Sequence, residues 1–304
     1  MNHPKISGVI PPLVTPLTDG LVFDKEAFGR LIEHVIEGNV HGIFIMGTNG
    51  EGASLNLNTR KNIIESSVPL ISGRVPLFVN ISSTSYLDTI DLAEYASGAG
   101  ADYVVLTPPY YFGMNQCELR RYFETVADWS NLPLFMYNAP QYTGNELAPE
   151  TVSILASHDN IIGIKDSSGN TDYINGLLDD RKDNDFSILI GTEKILGECV
   201  LNGCDGGVSG GGNLFPKLYV KMYQAASNKD LDQMKHYQTI INNVYKYIYE
   251  VSDSPMAILI GLKYALSVKG IISESLAIPV YDVLTDSQKR TIEKFLKETD
   301  QYDI

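Results

Sequence analysis

Short apolar runs alternate along the chain with longer segments whose apolar residues recur at helical spacing. Several of the runs are bounded by glycine or proline, which is typical of buried strands. They predict eight strands, at residues 8–15, 42–46, 77–81, 103–107, 134–138, 161–165, 187–190 and 206–209.

The intervening segments carry apolar residues three and four positions apart and therefore predict helices. These helices are expected at residues 24–38, 58–71, 85–97, 116–128 and 149–157. Asp24, Asn58 and Ser85 stand where three of them begin and are typical N-cap residues. From residue 217 the pattern is helical to the end, with helices expected at 217–226, 230–249, 255–268 and 286–298.

Strands separated by helices in this number are typical of an α/β fold of the (β/α)8 TIM-barrel type. A doubly wound sheet is the alternative, but it favours a glycine-rich turn directly after the first strand. Residues 11–16 are proline-rich instead. We therefore predict a (β/α)8 barrel over residues 1–225 and, within the same domain, a C-terminal helical extension over residues 226–304.

The amino-acid composition of the chain argues against several classes of function. The 304 residues carry a formal net charge of −14, with a pI near 4.7. This balance argues against nucleic-acid partners and anionic membranes, which select basic surfaces. The three cysteines form no paired motif, and neither a secretory signal nor a transmembrane run is recognisable, so a cytoplasmic location is expected. The five histidines form no metal-binding pattern, and neither a metal nor a cofactor is expected.

Lys165 is the most informative residue, because it ends a predicted buried strand and precedes Asp166. An unpaired ammonium group in such a place is costly. Burial favours the neutral amine, which is a nucleophile for carbonyl carbon. The alternative is a lysine that reaches solvent or pairs with Asp166, and position alone leaves both interpretations open.

The active site of a (β/α)8 barrel is built at the C-terminal ends of its strands. After the second strand comes the sequence GTNGEG at 47–52, a turn whose backbone N–H groups can bind a carboxylate. A purely structural glycine turn is the alternative. Tyr137 ends the fifth strand, where packing is the usual role and proton transfer near Lys165 the functional one. Tyr110 and Tyr111, after the fourth strand, carry the same ambiguity.

Three motifs, in this order and spacing, resemble those of one enzyme family. They are GTxGE at 47–51, YNxP at 137–140 and GxKD at 163–166. The resemblance is to the dihydrodipicolinate synthase / N-acetylneuraminate lyase family of pyruvate-dependent class I aldolases, and it extends over essentially the whole chain. It implies a carbon–carbon lyase that uses pyruvate or another 2-oxo acid as its substrate.

The resemblance also implies roles for individual residues. Lys165 would form a Schiff base with the 2-oxo acid, and Tyr137 would donate and accept protons. Thr48 would relay protons between Tyr137 and a second tyrosine, for which Tyr111 is the best match. In the family this second tyrosine often comes from the adjacent subunit, so a homotetramer built as a dimer of dimers is expected.

Substrate contacts follow from the same comparison. The backbone N–H groups of Thr48 and Asn49 would hold the pyruvyl carboxylate, although the family usually has a second hydroxyl residue where Asn49 stands. Gly191 and Val208 match positions that line the pyruvyl pocket. The second substrate would be chosen at Tyr142 and Glu193.

Tyr142 departs from the pattern of true dihydrodipicolinate synthases, which resemble this stretch but carry an arginine there. A tyrosine cannot form a bidentate, charge-assisted pair with a carboxylate. Glu193-Lys194 stands where sialate lyases carry an Asp-Glu pair. We therefore expect an aldolase for a 2-keto-3-deoxy sugar acid or a sialate-like compound. Dihydrodipicolinate synthase is the first alternative, and a non-catalytic sugar-acid-binding protein is the second.

Overall fold

The computed structural model describes residues 4–181, 185–273, 283–299, 302 and 304. The other residues of the predicted barrel and of the predicted C-terminal extension lie outside this description. The described chain contains eight strands, each followed by helical structure. The strands are β1 Gly8–Val9, β2 Ile43–Ile45, β3 Leu77–Asn80, β4 Tyr103–Leu106, β5 Leu134–Asn138, β6 Ile161–Asp166, β7 Ser187–Ile190 and β8 Gly206–Gly207.

The sheet is parallel throughout and closes on itself. Neighbouring strands pair in sequence order from β2 to β8, and β8 pairs with β1. The segment after β1 then bonds to β2, where the Leu13 N–H donates to the Phe44 carbonyl at 2.8 Å. The predicted (β/α)8 barrel is therefore confirmed, and the alternative of an open doubly wound sheet is wrong.

Helices pack around the barrel and continue beyond it. Those that accompany the strands are α1 Lys25–Glu37, α2 Leu57–Ile71, α3 Tyr86–Ala99, α4 Gln116–Trp129, α5 Pro140–Thr143, α6 Pro149–Leu155, α7 Thr171–Asp179, α8 Leu196–Leu201 and α9 Pro216–Ser227. The C-terminal part contains α10 Leu231–Val244, α11 Ala257–Val268 and α12 Asp286–Thr299. The boundary expected at residue 225 stays a prediction.

The helix starts follow from local capping. The side chains of Asp24 and Ser85 accept backbone N–H groups of the first turn in α1 and α3, as predicted. Asn58 is not a cap; the cap of α2 is Asn56, whose side chain accepts the Thr59 N–H at 2.9 Å. Two asparagines of equal capping ability lie two residues apart here, so the pattern misplaced the cap by two positions.

The sequence pattern failed to predict three of the described helices and extended one predicted helix too far. Helices α5 and α8 have only 4 and 6 residues, and their apolar spacing is too brief to stand out in the sequence. Helix α7 has 9 residues and was overlooked although the shorter α6 was predicted. The helix expected over 230–249 ends as α10 at Val244, and Tyr245–Tyr249 form a π-helix. No helix in the described part of the chain is long and apolar enough to cross a membrane.

The core has two layers. Apolar residues between the sheet and the helices form the larger layer, and a smaller cluster fills the barrel interior. Phe44, Phe135, Tyr137 and Val208 belong to the interior cluster. The interior is packed with rings and branched side chains and is not a pore, so a polar group inside it needs a specific partner.

Candidate active site

Lys165 and Tyr137 lie side by side at the C-terminal ends of β6 and β5. They are register partners, and the Lys165 Nζ is 3.8 Å from the centroid of the Tyr137 ring and 5.1 Å from that of Phe44. Lys165 is only 5% exposed. The amine therefore sits against two aromatic faces in the barrel interior, which favours cation–π contact when it is charged. It does not extend into solvent from the strand end.

Asp166, the other partner that position allowed for Lys165, is engaged elsewhere. Its carboxylate accepts the Asn138 Nδ2–H at 2.8 Å and the Ser168 hydroxyl at 2.8 Å. The Asn138 Oδ1 in turn accepts the Leu147 N–H. Burial raises the pKa of Asp166, although these hydrogen bonds oppose the shift. Asp166 therefore ties β5 to β6 through hydrogen bonds that do not involve the Lys165 amine.

Tyr137 is buried beneath the cavity and is polarised by its neighbours. Its phenol oxygen lies 3.1 Å from the Thr48 Oγ1. Burial alone would raise the pKa of Tyr137. The positive charge of Lys165 and hydrogen bonds with Thr48 and Ser167 outweigh burial, so the net effect is a lowered pKa. A phenol with a lowered pKa gives up its proton more readily near neutral pH and is suited to general acid–base work.

The turn at 47–52 is closed by its own backbone. The Glu51 N–H donates to the Thr48 carbonyl at 3.0 Å, and the Gly50 carbonyl accepts the Thr15 hydroxyl at 2.7 Å. Gly52 has no room for a side chain, because a Cβ there would lie 1.9 Å from the Met46 carbonyl oxygen. The turn places the Thr48 hydroxyl at the cavity and buries the side chain of Asn49.

Gly191 and Val208 lie near the lysine, at the ends of β7 and β8. The Gly191 N–H donates to the Asp166 carbonyl at 2.6 Å, and a Cβ at Gly191 would lie 2.0 Å from the Ser167 Oγ. Val208 belongs to the interior cluster with Tyr137. Both positions are therefore close-packed around the lysine end of the site, where only small groups fit.

A cavity of about 230 Å³ opens above Tyr137. Thr48 and Tyr137 line it together with Tyr110 and Tyr142, and its walls come from the ends of four strands, β2 to β5, and from the start of α11. The full lining is Gly47, Thr48, Glu51, Gly52, Ala53, Ser54, Asn80, Ser82, Thr107, Tyr110, Tyr137, Ala139, Tyr142, Thr143, Met256 and Leu259. Hydroxyl and amide groups dominate its polar side, and no lysine or arginine is among these described lining residues.

Tyr111 stands apart from this group. It is 85% exposed and contacts the ring of Phe112 on the surface, whereas the neighbouring Tyr110 lines the cavity. Within one chain, then, Tyr111 is not brought to Thr48. Its predicted relay role remains a prediction that depends on an adjacent subunit.

Glu193 is buried behind the cavity and is not among its lining residues. Its carboxylate accepts a very short hydrogen bond from the Tyr219 hydroxyl, one from the Tyr249 hydroxyl at 3.1 Å and one from the Gly211 N–H at 2.9 Å. Burial raises the pKa of Glu193, against the effect of these donors. In this structure its contacts are with the protein, and its predicted role in substrate binding stays a prediction.

Several lining residues were absent from the sequence-based candidates. Asn80 ends β3 and Ser82 follows it, and the strand-end rule that selected the other candidates also applies to them. Met256 and Leu259 come from the start of α11, outside the barrel. Nothing in the sequence pattern relates that helix to the strand ends, so only the fold reveals this wall.

A buried amine beside a polarised phenol, at the catalytic end of a (β/α)8 barrel, defines a site suited to chemistry at a carbonyl carbon. The comparisons with known proteins agree with this class. The model of the dihydrodipicolinate synthetase family matches residues 5–299. The chain belongs to the dihydrodipicolinate synthetase family and is a carbon–carbon lyase of the aldolase type.

Relatives from both branches of the family are similar to this chain. A dihydrodipicolinate synthase structure from Bacteroides thetaiotaomicron superposes with a TM-score of 0.93 at 43% identity, covering 98% of this chain and 100% of that one. YagE of Escherichia coli K12, crystallised with pyruvate, gives a TM-score of 0.91 at 31% identity and covers 98% of this chain and 99% of its own.

Sequence relatives show the same division. YagE carries the provisional name 2-dehydro-3-deoxy-D-gluconate aldolase and is 32% identical over 295 residues, 96% of each chain. The 4-hydroxy-tetrahydrodipicolinate synthase of Pelobacter propionicus is 30% identical over 285 residues, 94% of this chain and 96% of its own. The resemblance inferred from the three motifs is confirmed at the level of the family, and the relatives divide over the second substrate.

Proposed function

We propose that the protein is a class I aldolase that joins or splits pyruvate and an aldehyde through a Schiff base on Lys165. The observation that carries this proposal is the position of the Lys165 amine, which is buried and stacked against the ring of Tyr137 at 3.8 Å. The pyruvate seen bound to YagE supports pyruvate as the first substrate.

The chemistry would proceed in ordinary steps. The Lys165 amine, once it has given up its proton, attacks the C2 carbonyl of pyruvate, the carbinolamine loses water, and the resulting protonated imine acts as an electron sink. Loss of a proton from C3 gives an enamine, which attacks the aldehyde carbon in synthesis, and cleavage follows the reverse order. Tyr137 takes and returns the protons, and Thr48 orients its phenol.

The hydroxyl-rich cavity favours an uncharged hydroxyaldehyde as the second substrate. Thr48, Ser54 and Thr107 offer hydroxyl groups along its lining. Such groups exchange hydrogen bonds with substrate hydroxyls, whereas a free carboxylate favours a guanidinium fork. We therefore infer a 2-keto-3-deoxy sugar acid, or a sialate-like compound, as the molecule that is made or cleaved.

The second candidate is 4-hydroxy-tetrahydrodipicolinate synthase, which condenses pyruvate with aspartate semialdehyde. The names of the Bacteroides thetaiotaomicron and Pelobacter propionicus proteins favour it. Against it stands Tyr142, half exposed at the cavity where a carboxylate-binding arginine is expected.

A substrate panel separates the candidates. We expect pyruvate release from 2-keto-3-deoxy sugar acids or N-acetylneuraminate, and slow turnover of pyruvate with aspartate semialdehyde. Borohydride reduction in the presence of pyruvate should add a stable adduct at Lys165, and a variant at the exposed Lys235 should retain that adduct. Rapid turnover of aspartate semialdehyde would favour the second candidate. Binding of 2-oxo acids with neither adduct nor turnover would favour a non-catalytic sugar-acid-binding protein.

Assembly and location complete the proposal. Tyr111 and Phe112 directly follow the cavity-lining Tyr110 and expose two aromatic rings. Exposed aromatic patches commonly mark protein interfaces. We infer a homotetramer in which Tyr111 reaches a neighbouring subunit's site, working in the cytoplasm. Light scattering of the wild type and of Tyr111→Ser tests this assembly.

A further inference from the structure

A buried ion pair joins the turn at 47–52 to the C-terminal helix α11. The Lys263 ammonium contacts the Glu51 carboxylate, and each side chain is only 1% exposed. Burial lowers the pKa of Lys263, while the charge of Glu51 opposes that shift. Two charges that are removed from water and in direct contact depend on each other, because either one alone would be strongly disfavoured there.

The turn has strained backbone at both of its ends. Met46 and Glu51 lie on either side of the glycine-containing segment and have φ of 58° and 57°. Residues other than glycine rarely adopt this left-handed backbone conformation. Such conformations persist where the surroundings hold them. Glu51 is thus the residue through which a distant helix can fix the backbone that carries Thr48 and Asn49.

The helix that provides the lysine is rigidly placed. Gly261 lies so close to the π-helix Tyr245–Tyr249 that a Cβ would be 2.0 Å from the Ile248 carbonyl oxygen. The first turn of α11 also supplies Met256 and Leu259 to the cavity wall. The helix therefore holds Lys263 at a fixed distance from the strand ends while it forms part of the same cavity.

We propose that Lys263 is a positioning residue for the pyruvyl carboxylate: through Glu51 it holds the turn whose Thr48 and Asn49 N–H groups bind that carboxylate. This inference rests on the proposed function, because it requires that pyruvate binds there. It gives the C-terminal extension a part in substrate binding that neither the strand-end rule nor the sequence motifs assign to it.

The test compares pyruvate affinity with stability. In Lys263→Met the buried Glu51 carboxylate loses its cation, so the turn should move to hydrate it. We expect the pyruvate concentration that half-saturates borohydride trapping at Lys165 to rise at least tenfold. The double variant Glu51→Gln/Lys263→Met removes both charges of the pair. Its half-saturating pyruvate concentration should be at least threefold lower than that of Lys263→Met.

A matched core variant supplies the control. Leu155→Ala, in α6 away from α11, removes a fully buried side chain and should lower the melting temperature without changing half-saturation by pyruvate. If Lys263→Met lowers the melting temperature as Leu155→Ala does and keeps the wild-type half-saturation, the inference is wrong.

Should Lys263→Met fail to fold, the isosteric Glu51→Gln makes the same comparison with the wild type, and weaker pyruvate binding is expected. Failure of the wild type to form the adduct contradicts the proposed function instead.

Discussion

The Thr48 hydroxyl lies 3.1 Å from the phenol oxygen of Tyr137, and it joins the turn after β2 to the end of β5. These two residues are far apart in sequence and meet only because the barrel brings neighbouring strand ends to one face. The contact extends the Lys165–Tyr137 pair into a row of three groups along which protons can pass.

Tyr137→Phe should abolish most of the turnover while preserving the fold. The ring and its contacts with Lys165 and Phe44 are retained, so only the exchangeable proton is lost. Positioned acid–base groups contribute roughly 10²- to 10⁴-fold, and we expect kcat to fall within that range. Tyr103→Phe, which removes another mostly buried phenol from the barrel interior, should keep activity within about twofold, since Tyr103 contacts no reacting group. Near-normal turnover of Tyr137→Phe would contradict the proton-transfer role.

Thr48→Val should move the pH profile in a defined direction. The Thr48 hydrogen bond lowers the pKa of Tyr137, so its removal favours the neutral phenol and raises that pKa. The limb of the kcat–pH curve that reports Tyr137 ionisation should therefore shift to higher pH. Thr48→Ser keeps the hydroxyl and should retain the wild-type limb. A shift to lower pH, or an equal shift in both variants, argues against this hydrogen bond as the cause.

Tyr142→Arg should change the choice of second substrate. An arginine at the cavity can form a charge-assisted pair with the carboxylate of aspartate semialdehyde, a gain of about 1.5–3 kcal/mol. We expect kcat/KM for that aldehyde to rise roughly ten- to a hundredfold and that for sugar acids to fall. Tyr142→Gln is the neutral control and should show no such gain. Equal responses of the two variants would mean that charge at this position does not select the substrate.

Glu193→Gln should destabilise the protein, most strongly at acidic pH. The amide cannot accept from Tyr219, Tyr249 and Gly211 as the carboxyl group does, and unsatisfied buried groups cost about 1–3 kcal/mol. The pKa of Glu193 is raised in the folded state, so the folded wild type binds more protons than the unfolded chain above pH 4.5. Its stability relative to Glu193→Gln should therefore fall as the pH rises from 4.5.

Urea denaturation at several pH values measures this difference, with Glu250→Gln as the exposed control. Glu250 forms a surface ion pair with Lys194 and should change stability by less than about 1 kcal/mol. If Glu193→Gln is as stable as the wild type but has a much higher KM for the aldehyde, Glu193 binds substrate, as the sequence predicted.

The sequence predicted the barrel because its strands are fully buried and therefore read as continuous apolar runs. The strand-end rule then found Lys165 and Tyr137 without any contact information. It overlooked Asn80 and Ser82, which obey the same rule. Short helices such as α8 escaped because one or two turns give too little periodicity to distinguish them from loops.

Other parts of the site depend on contacts between distant segments, and no local pattern reports them. Glu193 was visible as a carboxylate after β7, but Tyr219 and Tyr249, which occupy its oxygens, come from α9 and the π-helix. The ion pair of Glu51 with Lys263 likewise joins the second strand end to a helix outside the barrel. Lys263 stands in an apolar run at residues 257–266, which separates it from the exposed lysines of neighbouring helices, but the run does not show which carboxylate it contacts.

The hydrogen bond from Asn138 to Asp166 has a consequence for how the site can be redesigned. It joins β5 to β6 immediately beyond Tyr137 and Lys165, so the proposed nucleophile and its proposed proton carrier are held as one unit. Tyr142 on α5 and Met256 before α11 lie on separate elements and can change without disturbing that unit. Substitutions at Tyr142 and Met256 should therefore alter the contacts with the aldehyde while the spacing of Lys165 and Tyr137 is kept.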